Sequence, residues 1–332
     1  ANPYICRLGD EKSSSSRLNF TQGFNSLGAT LAPLFGAAFI IGDTQINPER
    51  MSQLSEIQRI YLREEESQAL LLPFLCLGIG LLVLSLILRH TNLPNTKLPK
   101  TDSNNVLEAL RSKRLLLGAV GIFVYVGSEV AIGSYLHNYF VDNEIVGLLQ
   151  TDSILGVWIA RFYGGDIFQV NPKKVIGILV AIYWVGALIG RFIGSGIQAK
   201  VSPSRTLTVV GLGAITMLIS AIYSHGLVAM WSILAVGLFN SIMFPTIFAL
   251  SIEGTKENLG SASGILCTAI VGGAIIPLLF GSVIDSWGFQ VAFMIPGICY
   301  LFIAYFGAWT YADSKKSSTE ITESPQLEAI VQ

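Results

Sequence analysis

The feature that most constrains this chain is the 26-residue stretch Leu115–Phe140, which is predominantly apolar and carries one charge, Glu129. A helix rises about 1.5 Å per residue, so about 20 apolar residues cross a hydrocarbon core about 30 Å thick. Tyr125 and Glu129 share one helical face, together with Gly118 and Gly133. A carboxylate at that depth should face a bundle interior or a water-filled cavity. The alternative is that Glu129 only fixes packing between helices, but intramembrane ionisable residues favour a functional role.

The composition supports an integral membrane protein. Hydrophobic residues make up 52% of the chain, charged residues make up 13%, and the mean hydropathy is +0.58. A net charge of -1 without a basic run argues against a nucleic-acid partner. The three histidines are far apart and the four cysteines are isolated, so we expect no metal site, no cofactor and no enzyme active site.

Charge-free windows predict eight membrane spans. The fifth and sixth spans belong to one uncharged run, divided by a turn at 223–226, and Asp285 separates the last two. The predicted spans are Leu18–Ile41, Ser67–Leu88, Leu115–Phe140, Val175–Ile197, Thr206–Ile222, Gly226–Leu250, Leu259–Ile284 and Ser286–Tyr311.

The distribution of lysine and arginine predicts the orientation of these spans. With the N-terminal segment in the cytoplasm, the inside segments hold fourteen of these residues and the outside loops hold six. This bias places both termini and the polar 89–114 linker inside, and the 42–66 and 141–174 loops outside. Within the second loop, Ile145–Phe162 is typical of an interfacial helix. The polar tail 313–332 is expected to be disordered.

Polar and small residues share one face of the first span, and bulky residues occupy the opposite face. This pattern is typical of a helix that lines a polar cavity, although interhelical hydrogen bonds alone are the alternative explanation. The polar face consists of Gln22, Asn25, Gly28, Ala29, Ala32 and Gly36.

Further candidates occur in three later spans. Asn240 and Phe244 combine an amide with an aromatic plate, which suits a sugar ring. Thr268 lies on a helix interrupted by glycine and proline, a pattern common where transporters bend or bind, although packing explains it equally well. Arg191 lies near the cytoplasmic end of its span, where it either extends to the interface or pairs with a neighbouring helix to close that end.

Several long runs resemble the fucose/glucose/galactose proton symporters of the major facilitator superfamily. The resemblance covers nearly the whole chain, and the last two runs are most similar to glucose/galactose members. The runs are Ala1-Asn2-Pro3, LNFTQGFNSLGATLAPLFG (18–36), YVGSEVAIGSYLHNYF (125–140), YWVGALIGRFIGS (183–195), GLFNSIMFPTIFALSIEG (237–254) and SGILCTAIVGGAIIP (263–277).

The resemblance implies an all-α membrane fold of twelve helices in two halves, with a sugar site between them. The eight spans of this chain would be family helices 5–12, and helices 1–3 and most of helix 4 would be absent. The family's proton-coupling carboxylates on helices 1 and 4 would be absent with them. Residues 1–88 would belong to the first half, 89–114 to the linker, 115–312 to the second half and 313–332 to the tail.

The resemblance also implies roles for particular residues. Asn25 matches a family sugar-site asparagine, and Glu129 occupies a position where fucose carriers can have glutamine. The substrate-binding residues are predicted to be Gln22, Asn25, Tyr125, Glu129, Asn138, Asn240, Phe244 and Thr268. The gating or structural residues are predicted to be Arg191, Gly272, Gly273, Pro277 and Asp285.

The function predicted from these residues is proton-coupled uptake of a monosaccharide by alternating access in a bacterial inner membrane. The expected partners are the sugar and the lipid bilayer, and the expected assembly is a monomer. The alternatives are a carrier of the same fold for another polar solute and a membrane sensor without transport. We also expect the 332-residue chain to be an incomplete fragment that does not accumulate sugar against a gradient.

Overall fold

The computed structural model describes residues 2–10, 13–35, 55–91, 108–152, 154–253 and 259–323. Within these ranges the regular structure is helical and contains no strand. Short 3₁₀ turns occur at Ile167–Gln169 and Ala269–Val271. The α-helices are α1 (Asn2–Arg7), α2 (Ser14–Phe35), α3 (Glu56–His90), α4 (Lys113–Asp142), α5 (Ile145–Asp152), α6 (Ile154–Phe162), α7 (Pro172–Gln198), α8 (Pro203–Tyr223), α9 (Gly226–Asn240), α10 (Met243–Ile252), α11 (Leu259–Thr268), α12 (Gly272–Ala292) and α13 (Met294–Glu323).

Seven helical segments of the described chain are long and apolar enough to cross a membrane. The bent pair Ile145–Thr151 and Ile154–Phe162, whose axes meet at 94°, forms an eighth candidate if it is one span. The all-α membrane fold predicted from the sequence is therefore confirmed. The seven segments are Leu71–His90, Lys113–Asp142, Pro172–Gln198, Pro203–Tyr223, Gly226–Ile252, Leu259–Ala292 and Met294–Lys316.

The helix starts follow from local sequence chemistry. The Ser55 side chain accepts a hydrogen bond from the Gln58 N–H, and the Gln58 side chain bonds back to Ser55, which forms a capping box. Ser112 caps α4 with a single hydrogen bond, which its side chain accepts from the Leu115 N–H. Helices α7 and α8 begin with Pro172 and Pro203, where the missing N–H leaves no helix bond unmade.

Two packed groups of helices meet around α7. In one direction α7 packs along α2, and in the other it packs against α9. Helix α4 packs against α12, α13 and α10, and α8 packs against α9 and α13. Helices α4, α7, α8, α9, α10, α12 and α13 form the second of these groups and surround a common interior. The largest fully buried side chains of this interior include Tyr125, Tyr183, Tyr300, Phe248 and Phe280.

Glycines allow α7 and α9 to cross in close contact. A methyl group added at Gly190 would lie 2.6 Å from the carbonyl oxygen of Leu238 and would collide with the Ser241 side chain. A methyl group at Gly237 would similarly collide with the Tyr183 backbone. Because neither residue has a side chain, the backbones of α7 and α9 can approach closely at these two positions. This close approach fixes the point along α7 that crosses the end of α9.

One end of the second group is held together by Arg114. Its guanidinium forms an ion pair with Glu253 and lies 3.8 Å from an Asp313 carboxylate oxygen. Its Nε also donates to the Leu250 carbonyl at 2.8 Å. The start of α4 and the ends of α10 and α13 therefore lie at the same end, which the lysine and arginine bias predicts to be cytoplasmic.

Two sequence predictions near the end of the chain are wrong. Asp285 does not separate the last two spans, because α12 continues past it and the backbone departs from the helix at Gly288, where φ is 78°. Glycine tolerates this left-handed conformation, and a charged side chain does not set the boundary. The predicted disorder of the tail also fails for residues 313–323, which continue α13.

Other predictions lie partly outside the described residues. These are Gly36 and the end of the first predicted span, most of the 42–66 loop and the 89–114 linker, and the last nine residues. Residues 56–66 of the first loop begin α3. The apolar segment Leu71–His90 of α3 is exposed along its length except at the half-buried Pro73. The division into two halves, a linker and a tail stays a prediction.

Candidate functional site

The candidate site surrounds the break between α9 and α10. Helix α9 ends at Asn240 and α10 begins at Met243. Pro245 has no N–H, so the Ser241 carbonyl four residues earlier lacks its helical donor. A buried carbonyl without a donor is unfavourable, so another group must supply one. The sequence of this helix therefore leaves the Ser241 carbonyl in need of a donor from elsewhere in the protein.

Side chains from α4 and α7 donate hydrogen bonds to carbonyl groups at this break. The Tyr125 hydroxyl donates to the Asn240 carbonyl at 3.1 Å. The Arg191 Nε donates to the Ser241 carbonyl at 2.9 Å. Both side chains are buried, and both bonds join a neighbouring helix to the break. The break is therefore a fixed part of the fold whose geometry depends on Tyr125 and Arg191.

The Asn240 side chain lies between two tyrosines. Its Nδ2 donates to the Tyr183 hydroxyl at 3.0 Å. Its Oδ1 and the nearby Tyr300 hydroxyl have no hydrogen-bond partner of normal geometry. All three side chains are fully or almost fully buried. The Asn240 side chain thus joins α9 to α7.

Glu129 lies beside this network. It is one turn beyond Tyr125 on α4, close enough to the Tyr125 hydroxyl for the two groups to interact electrostatically. Its side chain is surrounded by protein but keeps an intermediate accessible surface. The Phe244 ring, also partly accessible, lies 6.3 Å from the Tyr125 ring at an angle of 49°. Glu129 and Phe244 are therefore both neighbours of Tyr125, and both are partly accessible.

Arg191 connects this network to α2. Its Nη1 donates to the Gln22 carbonyl at 2.7 Å, while its Nε holds Ser241. The guanidinium is 6% exposed, and it forms no ion pair within the described residues. Glu129 is close enough to act on it electrostatically. Arg191 is therefore a buried cation whose nearest identified opposite charge is Glu129.

A second buried polar cluster lies between α2, α7 and α10, and we call it the Gln198 cluster. Its members are Ser15, Asn19, Gln198 and Thr246. The Gln198 Oε1 accepts from Ser15 at 2.6 Å and from Asn19 at 2.7 Å, and its Nε2 donates to Thr246 at 2.7 Å. One amide therefore satisfies three buried partners on two other helices.

The structure brings some of the predicted site residues together. Tyr125, Glu129, Asn240 and Phe244 form the site described above, and Gln22 is joined to it through Arg191. The Gln22 side chain itself donates to Asn2 at 3.0 Å.

The other predicted binding residues lie apart from this site. Asn25 is exposed on α2, and Asn138 is exposed about 13 Å further along α4 from Glu129, from the helical rise. Thr268 donates to the carbonyl of Gly264 in its own helix at 3.0 Å. It lines an open, mainly apolar depression that also includes Ser261.

The predicted structural residues of α12 pack against α4. A methyl group at Gly272 would lie 2.7 Å from the Phe123 carbonyl carbon, and one at Gly273 would lie 3.0 Å from Val126. Pro277 lies within α12, one turn beyond Gly273, and Asp285 is exposed further along that helix. Their gating role stays a prediction.

Sequence analysis missed Tyr183, Tyr300 and the Gln198 cluster. A signal for the cluster was present, because Arg191, Ser195 and Gln198 recur at helical spacing along an otherwise apolar helix. The α2 residues Ser15, Asn19, Gln22 and Ser26 show the same spacing. The two tyrosines gave no comparable signal, since isolated aromatic residues in apolar spans are ordinary core residues.

Comparisons with known proteins place this geometry in a family. The family model described as Major Facilitator Superfamily matches residues 1–270 and 153–331. The chain is 38% identical over 312 residues to the glucose/galactose transporter of Brucella abortus, and this alignment covers 92% of the chain and 66% of the relative. It is 27% identical over 325 residues to the L-fucose-proton symporter of Escherichia coli, with 92% and 66% covered. The chain thus spans just under two thirds of these relatives.

A solved structure supports the same assignment at the level of the fold. The chain is similar to FucP, described as a major facilitator transporter in the outward conformation, with a TM-score of 0.73 and 24% identity. The match covers 93% of the chain and 71% of FucP. The family model, the relatives and the helical arrangement agree. The chain is a multi-pass membrane protein that belongs to the major facilitator superfamily.

Proposed function

We propose that this chain carries a monosaccharide across the bacterial inner membrane together with a proton, by alternating access. The observation that carries the proposal is that two partly accessible side chains, the Glu129 carboxyl group and the Phe244 ring, both lie beside Tyr125 at the α9–α10 break. Relatives named for glucose, galactose and L-fucose transport support a hexose or deoxyhexose as the substrate.

The chemistry of this site suits a sugar. A carboxyl group accepts hydrogen bonds from hydroxyl groups, and charged acceptors form stronger bonds than neutral ones. An aromatic ring offers an apolar face to the C–H groups of a pyranose. Broken helices near the middle of the membrane supply such sites in transporters. Asn240 and Tyr183 hold this break in position, while Glu129 and Phe244 contact the sugar.

Binding of a panel of sugars to the complete gene product in detergent tests the proposal. Isothermal titration with glucose, galactose and L-fucose should give saturable binding of at least one sugar. Mannitol, a linear polyol without a ring, provides the control for non-specific hydroxyl binding. Saturable binding of another polar solute, with none of the three sugars binding, would favour a carrier of the same fold for that solute.

Substitution of Glu129 by glutamine should weaken sugar binding without unfolding the protein. The amide keeps the shape of the side chain but loses a charge-assisted hydrogen bond, so we expect a roughly ten- to hundred-fold increase in Kd. Asp142→Asn is the matched control, since Asp142 is exposed near the end of α4. An unchanged Kd together with a lower melting temperature would mean that Glu129 only fixes packing.

The orientation proposed for the chain places the start of α4 and the C-terminus in the cytoplasm. Ser55 precedes α3 and Lys200 follows α7, and both positions are exposed. Single cysteines at these two positions should lie on opposite sides of the membrane. In a background without the four native cysteines, an impermeant maleimide added to intact cells should label S55C and leave K200C unlabelled. The opposite labelling would invert the topology.

The bilayer and the sugar are the partners of this function, and the functional unit is proposed to be a monomer. No organic cofactor or metal is required, because the proton is the coupling ion. The polar contacts of α2 with α7 and α10 lie at the proposed cytoplasmic end. Alternating access requires these contacts to separate when the substrate is released inside.

A further inference from the structure

Positive charges collect at the end of α13 that meets the starts of α4 and α8. The candidate membrane spans at this end begin at Lys113 and Pro203 and end at Lys316. Arg205 lies in the first turn of α8. The side chains of Lys113, Arg205 and Lys316 are all exposed. Three cations therefore lie at one boundary of the membrane-spanning helices.

Two of these cations lie over aromatic rings of α13. The Lys113 Nζ is 5.5 Å from the centre of the Trp309 ring. The central guanidinium carbon of Arg205 is 4.4 Å from the centre of the Tyr311 ring, and the guanidinium also donates to the Tyr311 hydroxyl. A contact of this kind holds a cation in place without neutralising its charge. Tryptophan and tyrosine are enriched where a membrane meets water, so both pairs suit the level of the lipid headgroups.

Two carboxylates at this end act on a different cation. Arg114 forms an ion pair with Glu253 and lies 3.8 Å from an Asp313 carboxylate oxygen. Neither Lys113 nor Arg205 takes part in an ion pair between described residues. Their charges are therefore available to an anion outside the chain. At the edge of a membrane, such cations attract the headgroups of anionic lipids.

An exposed, mainly apolar stripe of α13 leads to these cations. At about 3.6 residues per turn, Trp309 falls on the side of this stripe next to α4, and Tyr311 falls on the side next to α8. The two alanines of the stripe carry only methyl groups, so the surface between the rings is shallow and apolar. The exposed residues of the stripe are Leu301, Tyr305, Ala308, Ala312 and Lys316.

We propose that this end of α13 binds an anionic phospholipid. Lys113, Arg205 and Lys316 attract the phosphate group of the headgroup, and an acyl chain lies along the apolar stripe. A soluble anion would leave the stripe uncovered, so a lipid is the partner that matches both the charge and the apolar surface. This binding site goes beyond the proposed transport function, and its test requires no sugar.

Native mass spectrometry of the complete gene product released from detergent measures this binding. Phosphatidylglycerol and phosphatidylcholine with the same acyl chains are compared, because only the first carries a net negative charge. We expect saturable binding of phosphatidylglycerol, with a Kd at least about ten-fold lower than that of phosphatidylcholine. Lys113→Gln and Arg205→Gln should each raise the Kd for phosphatidylglycerol roughly five-fold, and the double variant should raise it roughly thirty-fold.

Lys173→Gln is the matched control for these variants. It removes one exposed positive charge at the start of α7, at the opposite end of the membrane-spanning helices. The Kd for phosphatidylglycerol should therefore stay unchanged. Equal affinity for the two lipids, or an equal loss of affinity in Lys173→Gln, would overturn the proposal.

Thermal unfolding of the unmodified protein provides a second measurement that does not depend on the folding of a variant. Phosphatidylglycerol should raise Tm more than phosphatidylcholine does. The increase should shrink when the ionic strength rises from about 0.05 M to about 0.5 M, because salt screens exposed cations. Inorganic phosphate at matched ionic strength should leave Tm unchanged. An increase that ignores salt, or an equal increase with inorganic phosphate, would show that no lipid headgroup is recognised here.

Discussion

Substitution of Gln198 by leucine should open the contact between α2 and α7 at the proposed cytoplasmic end. Gln198 bonds to Ser15, Asn19 and Thr246, all of which are at most 5% exposed. The Asn19 amide also donates to the Ser15 carbonyl at 3.0 Å and to Thr246 at 3.4 Å. Leucine has a similar size but no polar atom, so the three bonds made by Gln198 would be lost while the helices remain in contact. Each unsatisfied buried group costs about 1–3 kcal/mol, and water restores its bonds only when the helices separate.

The expected result is a roughly ten- to hundred-fold faster reaction of a cysteine at Ser16 with an impermeant maleimide added to inside-out vesicles, since about 1.4 kcal/mol corresponds to a factor of ten. Ser16 faces Ser195 across the same interface and is partly buried. Gln290→Leu makes the same chemical change at an exposed position on α12 and should leave the rate unchanged. Equal rates in both variants would mean that the Gln198 cluster does not hold these helices together.

Substitution of Gly190 by valine should destabilise the whole second group of helices. A side chain at this position would collide with the Leu238 carbonyl and the Ser241 side chain, both at the end of α9. Overpacking of a close crossing costs about 1–3 kcal/mol or more, and here the obstructing atoms include backbone. Movement of α7 away from this collision would also displace the neighbouring Arg191, which bonds to Ser241. Gly190→Val should therefore lower the stability of the protein and change the geometry of the α9–α10 break.

Thermal unfolding followed by the loss of the monodisperse peak on size exclusion measures this effect. We expect Gly190→Val to lower Tm by several degrees, at roughly 2–4 °C per kcal/mol. Gly196, on the same helix, has no atom within 4 Å of its added methyl group. Gly196→Ala should leave Tm unchanged or raise it, because alanine favours helix more than glycine does. A similar loss of Tm in both variants would show that the crossing is not tightly packed.

The membrane fold could be predicted from the sequence because each span is a long charge-free window. Leu115–Phe140 and Val175–Ile197 lie within α4 and α7, each of which extends only a few residues further. The break within α12 could not be predicted in this way. It depends on the backbone conformation of Gly288 and not on the charge of Asp285.

The site could be predicted only in part. Glu129 was conspicuous because a charge is unfavourable within a membrane span. The face of α2 that contacts other helices was harder to predict, because the predicted span began at Leu18 and omitted Ser15. The structure buries Ser15, Asn19, Ser26 and Thr30 and leaves Asn25 exposed. Helical periodicity finds polar faces, but it does not distinguish a face that contacts another helix from one that borders an open space.

The partners of individual polar groups could not be predicted either. Pro245 indicated that a carbonyl near Ser241 would lack its donor, but the donor is Arg191, 50 residues away. Tyr125 reaches Asn240 across a separation of 115 residues. Such pairings depend on the relative height and rotation of helices, which are determined by close crossings such as that of Gly190 with α9.

Proton movement on addition of sugar tests the central claim of sugar–proton symport most directly. The complete gene product is expressed in cells in weakly buffered, anaerobic medium, and external pH is recorded while glucose, galactose or L-fucose is added. Symport predicts a transient alkalinisation with at least one sugar, which a protonophore abolishes and mannitol does not produce. Sugar uptake without alkalinisation would contradict proton coupling, and the absence of both responses to all three sugars would contradict the proposed function.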